Sequence, residues 1–327
     1  MQILILGAGL SGLCAARELQ KSGHEVTVVD KGRGIGGRMA TRRFDGGIFD
    51  HGAQFFTARS DEFRALLEEW TQNGVAHEWF RGYPSPENDK PNDTHPRFCG
   101  ENGMTGIGKW LAQGLNVHLG EEIESLEREN GRWSATSKSG ARFEADELIL
   151  TAPVPQSLTL LQNAKIELPP KTREILQNLR YEPCFAVLAN LQGPSQIPAP
   201  GALYVNGEIL WWLADNFQKG ISPREGSVTI HSSGAWAQKH YDDAENEVAA
   251  ALLEVAAPHL GSEVENFQVR RWRYSKPENP LEIGSLRVEN LKLSFAGDIF
   301  QGAKVEGAVL SGLHAARQVK RREIAAD

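Results

Sequence analysis

The chain opens with short apolar runs that alternate with helically spaced apolar positions. Residues 3–6 form a continuous apolar run ending at a glycine, which is typical of a strand buried on both faces of a parallel sheet. Residues 10–19 then repeat apolar positions with helical spacing, and residues 26–29 form a second apolar run that ends at Asp30. This pattern predicts a β-α-β unit at the start of the chain.

The pattern then changes several times up to residue 150. Glycine-rich residues 31–57 predict a loop that wraps a ligand rather than a packed element. The following segments predict, in chain order, a helix at 60–73, an exposed mobile loop at 85–96, a helix at 104–115, antiparallel strands at 117–127 and 133–143, and a buried parallel strand at 147–150.

A different, aromatic-rich pattern of alternating strands begins near residue 171. It predicts strands at 185–191, 203–213, 228–233 and 269–274 around a helix at 244–256. Residues 291–320 return to the first pattern, with a buried strand at 291–295 and a helix at 305–320. The chain is therefore predicted to have an α/β fold with a parallel-sheet domain, closed by both ends of the chain, and a second, mostly antiparallel domain with helices.

Composition narrows the class of protein. With 327 residues, 40% hydrophobic and 24% charged, the chain can form a packed core over one large unit or two domains. Its 35 basic and 42 acidic residues give a net charge of −7, which disfavours a nucleic-acid-binding groove.

Cysteine usage and the absence of an apolar leader add two expectations. Cys14, Cys99 and Cys184 are far apart and lack metal-ligand spacing, which disfavours disulfides, a structural metal and a thiol nucleophile. No apolar run is long enough to cross a membrane, and we expect a cytoplasmic protein without membrane contact.

A glycine motif follows the first predicted strand and opens the first predicted helix. Gly7, Gly9 and Gly12 fit the pattern G-x-G-x-x-G, in which backbone N–H groups approach a pyrophosphate. Asp30, at the end of the second predicted strand, is placed to accept hydrogen bonds from an adenosine ribose. A tight turn with a surface aspartate would also fit these residues, and the motif alone does not distinguish NAD from FAD.

Two further features favour a flavin. Gly36 and Gly37 predict a second turn near the same pyrophosphate, with Arg38 as its cationic partner and Arg42 or Arg43 as an alternative. Near the other end, Asp298 after Gly297 is expected to bind a ribityl hydroxyl, and the helix that opens at residue 305 would stabilise the negative charge of reduced flavin.

The chain resembles the renalase family, especially its bacterial members, and more broadly the flavin-dependent amine oxidases. The resemblance covers essentially the whole chain and is carried by the segments 30–31 and 36–39, DHGAQFFT at 50–57, WRY at 272–274, and 297–298 with 305–308. It implies a Rossmann-type FAD-binding domain at 1–60, 98–155 and 287–327, and a substrate domain at 61–97 and 156–286. This is the two-domain architecture of amine oxidases and p-hydroxybenzoate hydroxylase.

The same resemblance implies one FAD. The last third of the chain has no cysteine for attachment to the flavin, so the FAD is expected to be held non-covalently, with His51 as the alternative attachment point. Together with the glycine motifs the resemblance predicts these cofactor-binding residues: Gly7, Gly9, Leu10, Ser11, Gly12, Asp30, Lys31, Gly37, Arg38, Met39, Gln54, Phe55, Phe56, Thr57, Met104, Gly297, Asp298, Val305, Glu306, Gly307 and Ala308.

The activity implied by the resemblance is oxidation of misreduced 2- and 6-dihydro isomers of NAD(P) to NAD(P)+, with O2 reduced to H2O2. A dihydropyridine expels hydride with the help of its own ring nitrogen, so a planar slot is needed rather than a strong base. The predicted catalytic residues are His231, Asn216, Trp272 and Gln54, although His231 fits a core histidine equally well. Most of the other aromatics of the second domain, Tyr204, Trp211, Trp212, Trp236 and Tyr274, also fit an ordinary core.

Two other functions remain open from the residues alone. One is a true amine oxidase, in which aromatic side chains would surround a neutral amine. The other is a non-catalytic flavin-binding or redox-sensing protein. The predicted partners are small molecules only, the dinucleotide and O2.

Overall fold

A computed structural model of the chain describes residues 1–82, 84 and 93–326, with side chains up to residue 320. Residues 85–92 of the predicted exposed loop lie outside the described residues. The chain divides into two compact units. The first combines Met1–Gly37, Gly108–Arg180 and Pro277–Asp327, and the second combines Arg38–Ile107 and Tyr181–Lys276.

The first unit is built on a six-stranded sheet with the order β17-β18-β11-β1-β2-β7. All neighbours pair in parallel except the edge strand β17, which is antiparallel to β18. Ile3, Leu4 and Ile5 of β1 are buried on both faces, which explains the continuous apolar run at the start of the chain. In chain order the strands are β1 (Gln2–Leu6), β2 (Glu25–Asp30), β7 (Asn116–Leu119), β11 (Glu147–Leu150), β17 (Leu286–Val288) and β18 (Leu293–Phe295).

Helices and a small antiparallel sheet complete the first unit. The helices are α1 (Leu10–Lys21), α4 (Val154–Asn163), α5 (Pro170–Gln177) and α8 (Val305–Ala326), and the sheet contains β8 (Ile123–Glu129), β9 (Arg132–Ser137) and β10 (Arg142–Ala145). Helix α3 (Thr105–Leu111) contains the point at which the chain passes from the second unit to the first. Helices α1 and α8 pack closely where a Cβ atom on Gly312 would lie 2.1 Å from the carbonyl oxygen of Ser11.

The second unit is built on a five-stranded sheet with the order β13-β14-β15-β12-β16. Its strands are β12 (Tyr181–Leu191), β13 (Ala202–Tyr204), β14 (Leu210–Asp215), β15 (Ser227–Ser232) and β16 (Val264–Pro277). Helix α7 packs on this sheet through Val248, Leu252 and Ala256. The remaining elements are β3 (Thr41–Phe44), β4 (Gly47–Asp50), α2 (Asp61–Gln72), β5 (Ala76–Arg81), β6 (Pro96–Gly100), α6 (Gly234–Lys239) and α7 (Glu245–Leu260).

The glycine-rich segment 31–57 is not only a loop. It contains a short 3-10 helix at Gly37–Met39 and the hairpin β3-β4, whose Phe49 is buried against Ala186 and Leu188 of β12. The prediction of an unpacked loop is therefore wrong for this hairpin. The prediction missed the hairpin because glycines and charged residues outnumber the apolar Phe44 and Phe49 in this segment.

Three predicted strands are in fact pairs of strands. The segment 117–127 divides at Gly120 (φ +75°) into β7, which joins the parallel sheet, and β8. The segment 133–143 divides into β9 and β10, and 203–213 divides into the hairpin β13-β14. In each case a turn containing glycine interrupts a run that has strand-like residues on both sides.

The predicted fold class is confirmed, since a parallel α/β unit containing both ends of the chain accompanies a unit with an antiparallel sheet and helices. The units differ from the predicted domains at residues 38–60, 98–107, 156–180 and 277–286. Compact units do not test which segments serve FAD and which serve the substrate, so the domain boundaries stay a prediction. No helix in the described ranges is both long and apolar enough to cross a membrane.

Candidate functional site

The turn between β1 and α1 leaves open space above the start of a helix. Gly7 has φ +120°, and a Cβ atom on Gly12 would lie 2.0 Å from the carbonyl oxygen of Gly7, so both glycines serve the tight turn itself. A Cβ atom on Gly9 would meet nothing within 4 Å. The first N–H groups of a helix have no partner within it, and the helix dipole favours an anion there. These features fit a phosphate group above Gly9, Leu10 and Ser11.

Asp30 ends β2 beside this turn. One carboxylate oxygen accepts a hydrogen bond from the N–H of Ala8 and the other from the N–H of Gly32, both at 2.6 Å. Each oxygen keeps a second lone pair for a ligand hydroxyl. Asp30 therefore braces both loops and remains able to bind a ribose. The neighbouring Lys31 donates instead to the side chain of Gln156.

The second glycine turn lies against the first, as the sequence predicts. The N–H of Gly36 donates to the carbonyl oxygen of Ala8 at 2.9 Å, and Gly37 adopts φ +56°. A Cβ atom on Gly37 would lie 3.3 Å from the Cα atom of Gly9. Glycine at this position thus permits the two backbones to approach each other.

At the start of α8 the small residues have an internal role. A Cβ atom on Gly307 would lie 2.0 Å from the carbonyl oxygen of Gly302, so this glycine allows the preceding loop to fold onto the helix. The N–H of Gly297 donates to the buried hydroxyl of Ser311 at 2.8 Å. Asp298, Val305, Glu306 and Ala308 lie at the same end of the first unit, and Asp298 and Glu306 are buried.

In the second unit, a buried ion pair organises the segment that follows β4. The Nζ atom of Lys219 lies 2.7 Å from Oδ2 of Asp50, and both side chains are 0% exposed. Lys219 also donates to the carbonyl oxygen of Gln54 at 2.6 Å. The other oxygen of Asp50 accepts from the hydroxyl of Thr41 and from the N–H of Met104.

Asn216 belongs to this internal network. Its Oδ1 atom accepts from the N–H of Asp50 at 3.3 Å, and its Nδ2 atom donates to the carbonyl oxygen of Ser227 and to the hydroxyl of Thr229, both at 3.0 Å. The residue is 0% exposed. This geometry favours a positioning role for Asn216 over the predicted contact with substrate.

Gln54 is similarly fixed. Its Nε2 atom donates to the carbonyl oxygens of Asp50 (2.6 Å) and Gly52 (3.2 Å), while its buried Oε1 atom has no hydrogen-bond partner within the described residues. Of the predicted cofactor contacts that follow, Phe56 is buried against Phe63 and Trp70. Phe55 lies in an aromatic cluster with Phe80, Tyr204 and Trp212.

His51, His231 and Trp272 meet at one carbonyl group. The carbonyl oxygen of His51 accepts from Nε1 of Trp272 at 2.7 Å and from Nε2 of His231 at 3.2 Å. The rings of His51 and Trp272 stack with centroids 5.2 Å apart. The structure thus brings the predicted residues His231 and Trp272 together at His51, which the sequence indicated only as a possible point of flavin attachment.

Both imidazoles are held neutral. Burial lowers the pKa of His51 to about 3, with further lowering by Arg270, His231 and Arg42. Burial lowers the pKa of His231 to about 4, against the opposing effect of its hydrogen bond to His51. His231 therefore carries its proton on Nε2 as a donor to the carbonyl.

The other predicted residues of the second unit lie in varied surroundings. Met39 and Met104 are buried, Arg38 donates to the carbonyl oxygen of Ser275 at 3.1 Å, and Trp236 packs on Phe185. Trp211 is exposed, and Tyr274 contacts Tyr181. Sequence reasoning missed Lys219 and Arg270. Arg270 is one of three neighbouring arginines of β16, with Arg271 and Arg273, so its charge alone does not mark it, and no local pattern marks Lys219.

Two family models match the chain. Residues 5–70 match the NAD(P)-binding Rossmann-like domain, and residues 88–320 match the flavin containing amine oxidoreductase. The second match covers most of the chain.

Among curated proteins, the chain is similar over its whole length to Renalase from Mus musculus. The two are 26% identical over 344 residues, covering 98% of this chain and 99% of that protein. The likeness to 4,4'-diapophytoene desaturase from Staphylococcus haemolyticus is local, with 41% identity over 69 residues that cover 21% of this chain and 14% of the desaturase. The predicted resemblance to renalases is confirmed.

Solved structures share the fold at low identity. A putative protoporphyrinogen oxidase from Exiguobacterium has a TM-score of 0.73 at 15% identity, covering 98% of this chain and 99% of that one. Putrescine oxidase bound to putrescine has a TM-score of 0.71 at 16% identity, covering 98% and 100% of the two chains. Cyclohexylamine oxidase from Brevibacterium oxydans has a TM-score of 0.73 at 14% identity, covering 98% and 99%.

Proposed function

The chain belongs to the flavin-containing amine oxidoreductase family, and on that premise we propose that it binds FAD non-covalently and oxidises 2- and 6-dihydro isomers of NAD(P) to NAD(P)+. As a member of this family and a homologue of Renalase, it is a flavin-dependent oxidoreductase. The choice of substrate is supported by the full-length likeness to Renalase. The identity of this chain to Renalase is higher than its identity to the two solved amine oxidases described above.

The first unit supports FAD as the form of the flavin. Asp30 offers carboxylate lone pairs to an adenosine ribose, and the open space above Gly9 at the start of α1 fits the pyrophosphate. A mononucleotide flavin has neither an adenosine ribose nor a pyrophosphate. The two adjoining glycine turns therefore support a dinucleotide.

The cysteines support non-covalent binding. Attachment through sulfur needs a thiolate, and burial raises the pKa of Cys14, Cys99 and Cys184 to about 12. His51, the other candidate for attachment, stacks on Trp272. We therefore expect the flavin to be released intact when the protein is denatured.

The second unit supports a substrate that needs no base. The neutral imidazole of His231 and the indole of Trp272 meet at the carbonyl oxygen of His51, and the stacked rings of His51 and Trp272 offer a flat surface for a nicotinamide ring. The His51 carbonyl accepts both hydrogen bonds and so fixes the ring planes. A flavin held by the first unit would supply the redox chemistry of the reaction, the removal of hydride from the substrate and the two-electron reduction of O2 to H2O2.

An amine substrate is the second candidate, because the aromatic cluster of Phe55, Phe80, Tyr204 and Trp212 offers apolar surfaces for a neutral amine. It draws no support from the solved amine oxidases beyond the fold, since their identity to this chain is low.

Anaerobic stopped-flow absorbance at the flavin band separates these functions. The purified holoprotein is mixed with a borohydride-made mixture of dihydroNAD isomers, and in parallel with pure 4-dihydroNAD and with simple amines. We expect rapid bleaching by the isomer mixture alone. Bleaching by amines instead would move the protein to the amine oxidases, and bleaching by none would leave a flavin-binding protein.

A further inference from the structure

Two arginines lie on strands that carry or adjoin the stacked pair of His51 and Trp272. Arg270 precedes Trp272 by two positions on β16 and therefore lies on the same face of that strand. Arg42 lies on β3 opposite Phe49, and Phe49 packs against β12, the neighbour of β16 in the sheet. The charges of both arginines act on His51 and contribute to its low pKa.

These two cations lack a carboxylate partner at ion-pair distance within the described part of the chain. The side chain of Arg42 is exposed and makes no hydrogen bond there, and Arg270 donates to the side-chain oxygen of Gln268 at 2.5 Å. Glu245 acts on Arg270 only as a more distant charge. Burial and the neighbouring charge of Arg42 lower the pKa of Arg270.

Neighbouring unpaired arginines are unfavourable unless an anion joins them. In a chain with a net charge of −7, a general excess of basic residues does not explain the pair. The planar guanidinium group matches phosphate oxygens in bidentate geometry, and arginine is the residue most used for such recognition. An aromatic surface beside two such groups suits a ligand that joins a planar ring to phosphate.

We propose that Arg42 and Arg270 bind phosphate oxygens of the dinucleotide substrate while its nicotinamide ring lies on His51 and Trp272. This inference rests on the proposed function and extends it, because it assigns the part of the substrate that does not react. The phosphate is either the pyrophosphate, common to NAD and NADP, or the 2′-phosphate of NADP.

Binding of oxidised dinucleotide to the holoprotein tests the assignment without turnover. Calorimetric titration with NAD+ and with NADP+ is compared for wild type, Arg42→Gln, Arg270→Gln and the double variant. Loss of a charge-assisted pair predicts a rise in Kd of roughly tenfold for each single variant, and more for the double variant. Arg273→Gln is the matched control, since Arg273 lies on the opposite face of β16 over the Tyr241 ring, at 4.3 Å.

The two phosphate sources are distinguished by the ligand. An effect on NAD+ and NADP+ alike assigns the pyrophosphate, and an effect on NADP+ alone assigns the 2′-phosphate. The inference is overturned if wild type binds neither dinucleotide, or if Arg273→Gln weakens binding as much as the other substitutions.

Turnover separates this inference from the proposed function. KM is measured for dihydro isomers of NAD and for dihydro isomers of 1-methylnicotinamide, which carries no phosphate. The arginine variants should raise KM for the dinucleotide and leave the methyl compound unchanged. If both the dinucleotide and the methyl compound are oxidised but the arginine variants leave KM for the dinucleotide unchanged, the proposed function is retained and the arginine site is rejected. Failure of every isomer to react would reject the proposed function, while the titration still reports on the arginines.

Discussion

At the scale of single residues, the buried ion pair of Lys219 and Asp50 fixes several neighbouring groups. The ammonium group lies between the carboxylate, the carbonyl oxygen of Gln54 and the ring of Trp79, whose centroid is 4.5 Å away. The carboxylate in turn binds Thr41 and the N–H of Met104. Removing either charge leaves the other buried without an opposite charge, which is far costlier than removing both.

Lys219→Met should therefore lower the free energy of unfolding by roughly 3 to 5 kcal/mol. Adding Asp50→Asn should recover part of that loss, because the amide oxygen of Asn can still accept from Thr41 and Met104. Urea unfolding of wild type, the single variant and the double variant measures both values. A double variant less stable than Lys219→Met would contradict this account of the pair.

The neutral imidazoles of His51 and His231 have a consequence for acid stability. Each pKa in the folded protein lies below the ordinary value of 6.5, at about 3 and about 4. Below pH 6.5 these imidazoles are protonated in the unfolded chain but still neutral in the folded protein. Lowering the pH therefore reduces the free energy of unfolding, until the pH reaches the pKa values of the folded protein.

We expect this fall to approach 1.4 kcal/mol per pH unit for each imidazole between about pH 6 and pH 4. His231→Gln removes one titrating group while keeping an amide N–H for the carbonyl oxygen of His51, so its slope should be shallower. Urea unfolding across this pH range gives both slopes. Equal slopes in the variant and wild type would show that His231 does not titrate as described.

The sequence predicted some site residues and missed others for a physical reason. Asp30 and the glycines of the first turn are recognisable because a phosphate-binding turn requires fixed spacing along the chain. Lys219 meets Asp50 across 169 residues of chain. A contact made by tertiary folding leaves no local spacing, so a single sequence carries no sign of it.

At the scale of elements, the packing of α1 against α8 depends on glycine at position 312. The carbonyl oxygen of Ser11 occupies the place where a Cβ atom of residue 312 would lie, only 2.1 Å away. The obstacle is backbone, which cannot move aside as a flexible side chain can. Any residue other than glycine must separate the two helices.

Gly312→Ala should therefore destabilise the protein by about 1 to 3 kcal/mol, as expected for overpacking. Gly106→Ala in α3 is the matched control, since its Cβ atom would meet nothing within 4 Å. It makes the same chemical change in an open position and should be neutral or slightly stabilising through helix propensity. Thermal unfolding of both variants checks the contrast, and equal losses at the two positions would refute the packing argument.

Elements were predicted best where periodicity and burial agreed. The run at 3–6 and the helices at 10–19 and 60–73 match β1, α1 and α2 closely. The hairpin β13-β14 was read as one strand because its apolar content continues on both sides of the turn. Asn206, with φ +52°, and Gly207 lie in the connection between the two strands, and this Asn-Gly pair was the local signal available.

At the scale of the whole molecule, the sequence shows the two-part organisation by a change in pattern rather than by a linker. The buried parallel strands and the aromatic alternating strands differ in composition, and residues 291–320 return to the first kind. The exact passages between units were not predictable, because short elements such as α3 include residues of both.

The strand order of the first unit bears on how the protein is made. β1 pairs with β11, and β11 pairs with β18, so the centre of the sheet joins residues that are synthesised at widely different times. Strand β11 can pair with both β1 and β18 only after residue 295 has been synthesised. Helix α8, which packs on α1, is synthesised later still. Contacts so distant in sequence slow folding. The nascent chain therefore spends most of translation with apolar strand edges uncovered, the period in which it depends most on chaperones.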